Sequence, residues 1–149
     1  SLAPHDISLV QYFSNDAEPK SLTKDNFNFT FSPYSDYASL GIKFENKLCA
    51  KIDVSWYYPD KIREIKVIGE KKTLVFDDVK KTLKMFNIKI DRNYNHINNG
   101  VENVPFDNSI QPLTSEINHF LKYLNFPSKC ITGYNHTKNV IKIIEDYNN

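Results

Sequence analysis

Residues 38–56 alternate apolar and polar side chains with a period of two. Ala38, Leu40, Ile42 and Phe44 form one apolar row, and Leu48, Ala50, Ile52, Val54 and Trp56 form a second, with Glu45-Asn46-Lys47 between them. A period of two sends each row to one face of a strand, and so short a polar connection folds the two runs back on each other as an antiparallel hairpin. A helix would scatter both rows around its circumference. The chain is therefore committed to a half-buried sheet, and its other segments must supply the cover.

More strands are expected on both sides. Phe27, Phe29 and Phe31 alternate with Asn28 and Thr30 and predict a strand that ends at the turn Ser32-Pro33-Tyr34-Ser35-Asp36. After Tyr57-Tyr58-Pro59-Asp60, strands are predicted from about Ile62 to Ile68, from Thr73 to Phe76 and from Thr82 to Ile90. Residues 91–109 are rich in asparagine and read as a long loop.

Helices are expected at the two ends. Ile7, Val10 and Phe13 share one face of a first helix, which opens at Pro4-His5-Asp6 and stops at the polar turn Asn15-Asp16-Ala17-Glu18-Pro19. Leu113, Ile117, Phe120, Leu121 and Leu124 form the stripe of a second helix, and Val140, Ile141, Ile144 and Tyr147 that of a third, which follows Gly133. The expectation is one α+β domain over residues 1–149. It is built on a largely antiparallel, open-faced sheet of about six or more strands with helices packed on one face, leaving the other solvated or meeting a partner.

Composition excludes several functions. Nineteen basic against eighteen acidic residues leave a net charge of +1, and seventeen of the basic residues are scattered lysines, so neither a nucleic acid nor an acidic membrane is an expected partner. No apolar run approaches the ~20 residues of a membrane span. Two distant cysteines, Cys49 and Cys130, read as buried or half-buried free thiols of a reducing compartment.

The four glycines stand too far apart for a G-x-G-x-x-G turn or a P-loop, so the chain itself has no standard cradle for a dinucleotide pyrophosphate. The four histidines and two cysteines lack metal-ligand spacing, and no metal site is expected. His5 is the strongest acid/base candidate because imidazole exchanges a proton near neutral pH. His119 reads as a surface residue, and His136 as a helix cap or a ligand contact. Arg63, one of two arginines, could grip a carboxylate or phosphate with its fork or pair with Glu64 or Asp53. Trp56 reads as core or interface.

The ordered set Leu2-Ala3-Pro4-His5-Asp6-Ile7, Val54-Ser55-Trp56, Pro59, Lys61-Ile62-Arg63, Val67-Ile68-Gly69, Ile110-Gln111-Pro112-Leu113 with Glu116 and Phe120, and the closing Val140-Ile141 helix resembles the C-terminal domain of Gfo/Idh/MocA-type oxidoreductases. The fold implied is the C-terminal domain seen in dihydrodipicolinate reductase and glucose-fructose oxidoreductase. The resemblance spans essentially the whole chain.

It implies a cytoplasmic NAD- or NADP-dependent dehydrogenase acting on a sugar or nucleotide-sugar hydroxyl, of which this chain is the substrate-binding and oligomerisation domain. An N-terminal Rossmann domain, absent from this chain, would hold the cofactor, so the chain alone is expected to bind no NAD(P) and to be inactive. His5 would assist proton transfer at the substrate hydroxyl, with Asp6, Arg63 and His136 on the substrate side. The open sheet face would join copies into a homo-oligomer. Ser1 stands where the family has an aspartate four residues before the histidine, and the lysine of the family's E-K-P motif would lie in the missing half. Two alternatives stay open: a non-catalytic binding or assembly module of this fold, and an unrelated antiparallel-sheet domain with a small-ligand cleft.

Overall fold

The computed structural model describes residues 3–31 and 35–148, with the side chains of 147 and 148 set aside. Ser1, Leu2, the Ser32-Pro33-Tyr34 turn and the inward placement of Tyr147 lie outside what is described. The fold is α+β with antiparallel pairing throughout, as expected. Its strands divide into a three-stranded and a four-stranded sheet, within two compact units made of residues 1–57 with 117–149 and of residues 58–116.

The first unit holds helix α1 (Pro4–Phe13), strands β1 (Pro19–Phe27), β2 (Tyr37–Phe44) and β3 (Cys49–Ser55), and helix α3 (Tyr134–Asn148). The sheet order is β1-β2-β3, and Leu40 pairs with Ile52 and Ile42 with Ala50 across the predicted hairpin. Lys47 takes a left-handed φ of 70° in the connection, where its amide donates to Phe44 O at 3.1 Å. Leu40, Ile42, Phe44 and Ile52 meet Ile7 of α1 with Val140 and Ile143 of α3 in one buried cluster. Fully burying each such aliphatic side chain is worth about 1.5–3 kcal/mol before the entropy cost of ordering it.

Three expectations need correction in this unit, and a fourth is narrowed. The first strand runs from Pro19 to Phe27, not through Phe27–Phe31. It is an edge strand with only Leu22 packed against the core, so it shows no alternation, and Pro19 is tolerated as its first residue. The amides of Phe29 and Thr30 turn instead to the Asp36 carboxylate, each at 2.8 Å. In α3 the buried row is Val140 and Ile143, while Ile141 points outward. Cys49 is exposed on the outer sheet face opposite Lys43, and Trp56 is 69 % exposed, outside the core.

The second unit is a meander of β4 (Glu64–Ile68), β5 (Thr73–Asp77), β6 (Thr82–Ile90) and β7 (His96–Asn103), in that order. Strand β7 lies inside the stretch read as a loop. Every residue of it is exposed, so it carries no hydrophobic signature, and its ladder to β6 alone defines it. One extra residue bulges from β7 between the Phe86–Val101 and Ile88–Asn98 pairs, where Gly100 adopts φ 106°. Ile65, Phe76 and Leu83 line up across one face with Val67, Leu74 and Met85, and Phe106 packs edge-on against Phe76. No residue of 58–116 is fully buried. Helix α2 (Pro112–Tyr123) bears the predicted stripe, but Leu113, Ile117, Phe120 and Leu121 are all exposed.

Candidate functional site

His5 and Asp6 occupy the first turn of α1. Pro4 starts the helix with its φ preset, and Ile7 N donates to Ala3 O at 2.9 Å. Ala3, at the N-cap, makes no side-chain cap bond but packs against the core. His5 is exposed, whereas Ile7 one position beyond Asp6 is 2 % exposed.

The other end of α1 is tightly built. Ser14 closes the helix; its hydroxyl reaches Gln11 O at 2.8 Å and Gln11 Oε1 at 2.9 Å, and Ala17 N donates to it at 3.2 Å. Asn15 and Asp16 follow with left-handed φ values of 58° and 54°, and Asp16 N donates back to Gln11 O at 2.9 Å. Asn and Asp are the non-glycine residues that tolerate this conformation best. The reversal aims the Asp16 carboxylate at α3.

His136, in the first turn of α3, receives it. Its ring is 4 % exposed, with Nδ1 2.7 Å from Asp16 Oδ1 and Nε2 2.8 Å from Ser8 Oγ. An ionised carboxylate only accepts, so Nδ1 carries the proton; in the neutral imidazole Nε2 then accepts the Ser8 hydroxyl proton. Both ring nitrogens of the predicted ligand residue are therefore engaged inside the protein. Beside this relay lies an open groove of about 740 Å³, walled by Phe120, Tyr123, Leu124 and Tyr134, with Asp16 and His136 at one side.

Arg63 lies in the other unit. Its Nη1 is 3.6 Å from Asp78 Oδ2, in place of the partners Glu64 and Asp53 suggested by proximity in sequence or sheet. Lys81 bonds the same carboxylate and, with Arg63, holds Asp78 below the usual carboxylate range against the opposing effect of burial. Thus His5 and Asp6 lie in the first turn of α1, His136 on α3 bonds Ser8 of the same helix, and Arg63 lies just before β4 in the other unit. His119 is half-buried, its ring edge-on to Tyr123 at 4.8 Å and its Nδ1 3.9 Å from Cys130 Sγ, so it is not the surface residue its helix position suggested.

Among the described residues both sheets are antiparallel, with no βαβ crossover to offer a helix N-terminus to a pyrophosphate, and the glycines are dispersed. Among the described residues no group of three or more His, Cys, Asp or Glu could hold a metal ion, and no helix is long and apolar enough to cross a membrane.

No protein-family profile and no curated protein matches this sequence. Solved structures do match the fold. UDP-N-acetylglucosamine 3-dehydrogenase GnnA from Acidithiobacillus ferrooxidans superposes with a TM-score of 0.81 at 16% identity, over 99% of this chain and 45% of that one. The chain has the fold of a Gfo/Idh/MocA-type C-terminal domain. Levoglucosan dehydrogenase in complex with NADH gives a TM-score of 0.70 at 13% identity over 99% of this chain and 45% of its own. An aldose-aldose oxidoreductase from Caulobacter crescentus, complexed with glycerol, gives 0.69 at 14% identity over 98% and 42%. The fold expected from the motifs is thus the fold observed, and this chain spans slightly less than half the length of the structures it matches.

Proposed function

We propose that this chain is the substrate-side and assembly domain of a cytoplasmic NAD(P)-dependent dehydrogenase acting on a sugar or nucleotide-sugar hydroxyl. The observation that carries the reading is the match of nearly the whole chain to under half of a UDP-N-acetylglucosamine 3-dehydrogenase. A separate Rossmann domain would hold the nicotinamide that accepts the hydride.

This chain's own share is the proton and the substrate's orientation. His5, exposed at the mouth of α1, takes the proton of the reacting hydroxyl as the C–H bond gives up its hydride. Such general base catalysis is worth about 10²–10⁴-fold. Asp6 beside it contacts the polar groups of the sugar or its nucleotide, and His136 acts from behind through α1. The apolar row Ile65, Val67, Leu74, Phe76, Leu83 and Met85, in a unit with no fully buried residue, supports coverage of the open sheet by a second copy.

The test is a fluorescence titration of the longer protein with NADH and NADPH, followed by assay against a panel of free and nucleotide-linked sugars. Binding of either nucleotide together with sugar-dependent turnover supports the reading; absence of nicotinamide binding overturns it. Ser1 at the family's aspartate position favours one second reading, a non-catalytic module of the same fold. That module would bind sugar without turnover.

A further inference from the structure

The order of Ser8 Oγ, His136 and Asp16 is that of a serine-nucleophile triad, at 2.8 and 2.7 Å. The setting is wrong for a nucleophile. Ser8 lies inside α1, where backbone N–H groups are committed to carbonyls four residues earlier, so no pair of free N–H groups faces its hydroxyl as an oxyanion hole. What the relay does instead follows from where it grips. Ser8 stands one helical turn after His5 and one before Gln11, and residues three apart share a helix face. The N-cap residue Ala3 makes no side-chain cap bond, and anchorage further along α1 adds to its packing against the core in holding the first turn. Ile7 provides an apolar anchor, which resists withdrawal from the core but does little to fix rotation. Ser8 provides a directional one, and the left-handed Asn15-Asp16 pair, fixed by its own backbone bond to Gln11, holds the far end of the relay.

We propose that Ser8, His136 and Asp16 form a clamp that sets the rotation and order of the first turn of α1, making all three positioning residues for His5. The role of His5 as proton acceptor rests on the oxidoreductase reading above; the clamp on α1 does not.

The test uses this chain alone and so separates the two. Amide hydrogen exchange and histidine-ring NMR are recorded for the unaltered chain, Ser8→Ala and His136→Ala. Alanine is the better helix former, so intrinsic propensity makes Ser8→Ala slow the exchange of α1; the clamp predicts the opposite sign. The expected result is exchange of the α1 amides about tenfold faster in both variants, with β2 amides changed less than about twofold. The His5 ring signal should shift or broaden in both. Asp16→Asn, which keeps an acceptor and tolerates the left-handed backbone, should stay near the unaltered chain. Slower or unchanged α1 exchange in Ser8→Ala, an unmoved His5 signal, or equal acceleration of α1 and β2 overturns the clamp. Any of these leaves the nicotinamide titration of the longer protein to decide the catalytic reading by itself.

Discussion

His136 Nδ1 lies 2.7 Å from Asp16 Oδ1, joining the first turn of α3 to the residue pair that ends α1, 120 positions earlier. The ring is nearly sealed from water, so removing it leaves a small void and strands the groups that bonded it. His136→Ala should cost about 2–4 kcal/mol in urea unfolding. Lys142 also ties α3 to the start of β1, through Glu18 at 3.2 Å, but both side chains are more than half exposed. Lys142→Ala should cost no more than about 1 kcal/mol. Similar losses for the two variants would contradict the ranking.

Ile143 is 0% exposed and sits with Leu40, Ile42 and Phe44 in the core. Ile143→Ala should lower the unfolding free energy by about 2–5 kcal/mol with an unchanged denaturant slope. Ile141, its outward-facing neighbour at 49% exposure, should tolerate alanine at under about 1 kcal/mol.

Gly100 holds φ 106° in the β7 bulge, and open space surrounds the position a Cβ would take. Any penalty for Gly100→Ala is therefore conformational and should be about 1–2 kcal/mol. Near-neutral thermal unfolding of this variant would mean that the bulge relaxes freely.

Acid should weaken the fold. Burial pushes the Asp36 carboxyl up, but the amides of Phe29 and Thr30 and the Thr30 hydroxyl bond its charged form and leave it below its ordinary 3.8. Asp77, held chiefly by the Lys80 amide, and Asp91, held by Asn95, are lowered from the same value. A carboxyl whose pKa is lower folded than unfolded binds fewer protons in the native state. Its contribution is full above the unfolded pKa and disappears as pH falls through the folded one. The urea midpoint should thus be insensitive to these groups above about pH 5 and drop below about pH 4. A midpoint rising toward pH 3 would show the sign to be wrong.

The hairpin and its buried row were legible because Leu40, Ile42, Phe44 and Ile52 combine strand periodicity with a single covered face. Strand β7 was not, since His96–Asn103 has no buried residue to imprint a period and exists through its pairing with β6. The inward row of α3 was misaligned by about one position because Ile141, Ile143 and Ile144 are interchangeable by hydropathy, and only contact with Ile7 and the sheet selects Ile143. His5 stood out through its place in a motif. The Ser8–His136–Asp16 relay could not, because it joins Ser8 and Asp16 to a residue 128 and 120 positions later. Its only local trace was Asn15-Asp16 just after a helix, a pairing suited to left-handed backbone.

The proposed role of this chain is that of the substrate-side half of a sugar dehydrogenase, acting through His5. Its most direct test is sugar-dependent nicotinamide reduction by the longer protein, compared with its His5→Ala variant. Turnover is expected with at least one free or nucleotide-linked sugar, and His5→Ala should lower kcat by about 10²–10⁴-fold with nicotinamide affinity retained. Equal turnover by the two proteins would contradict it.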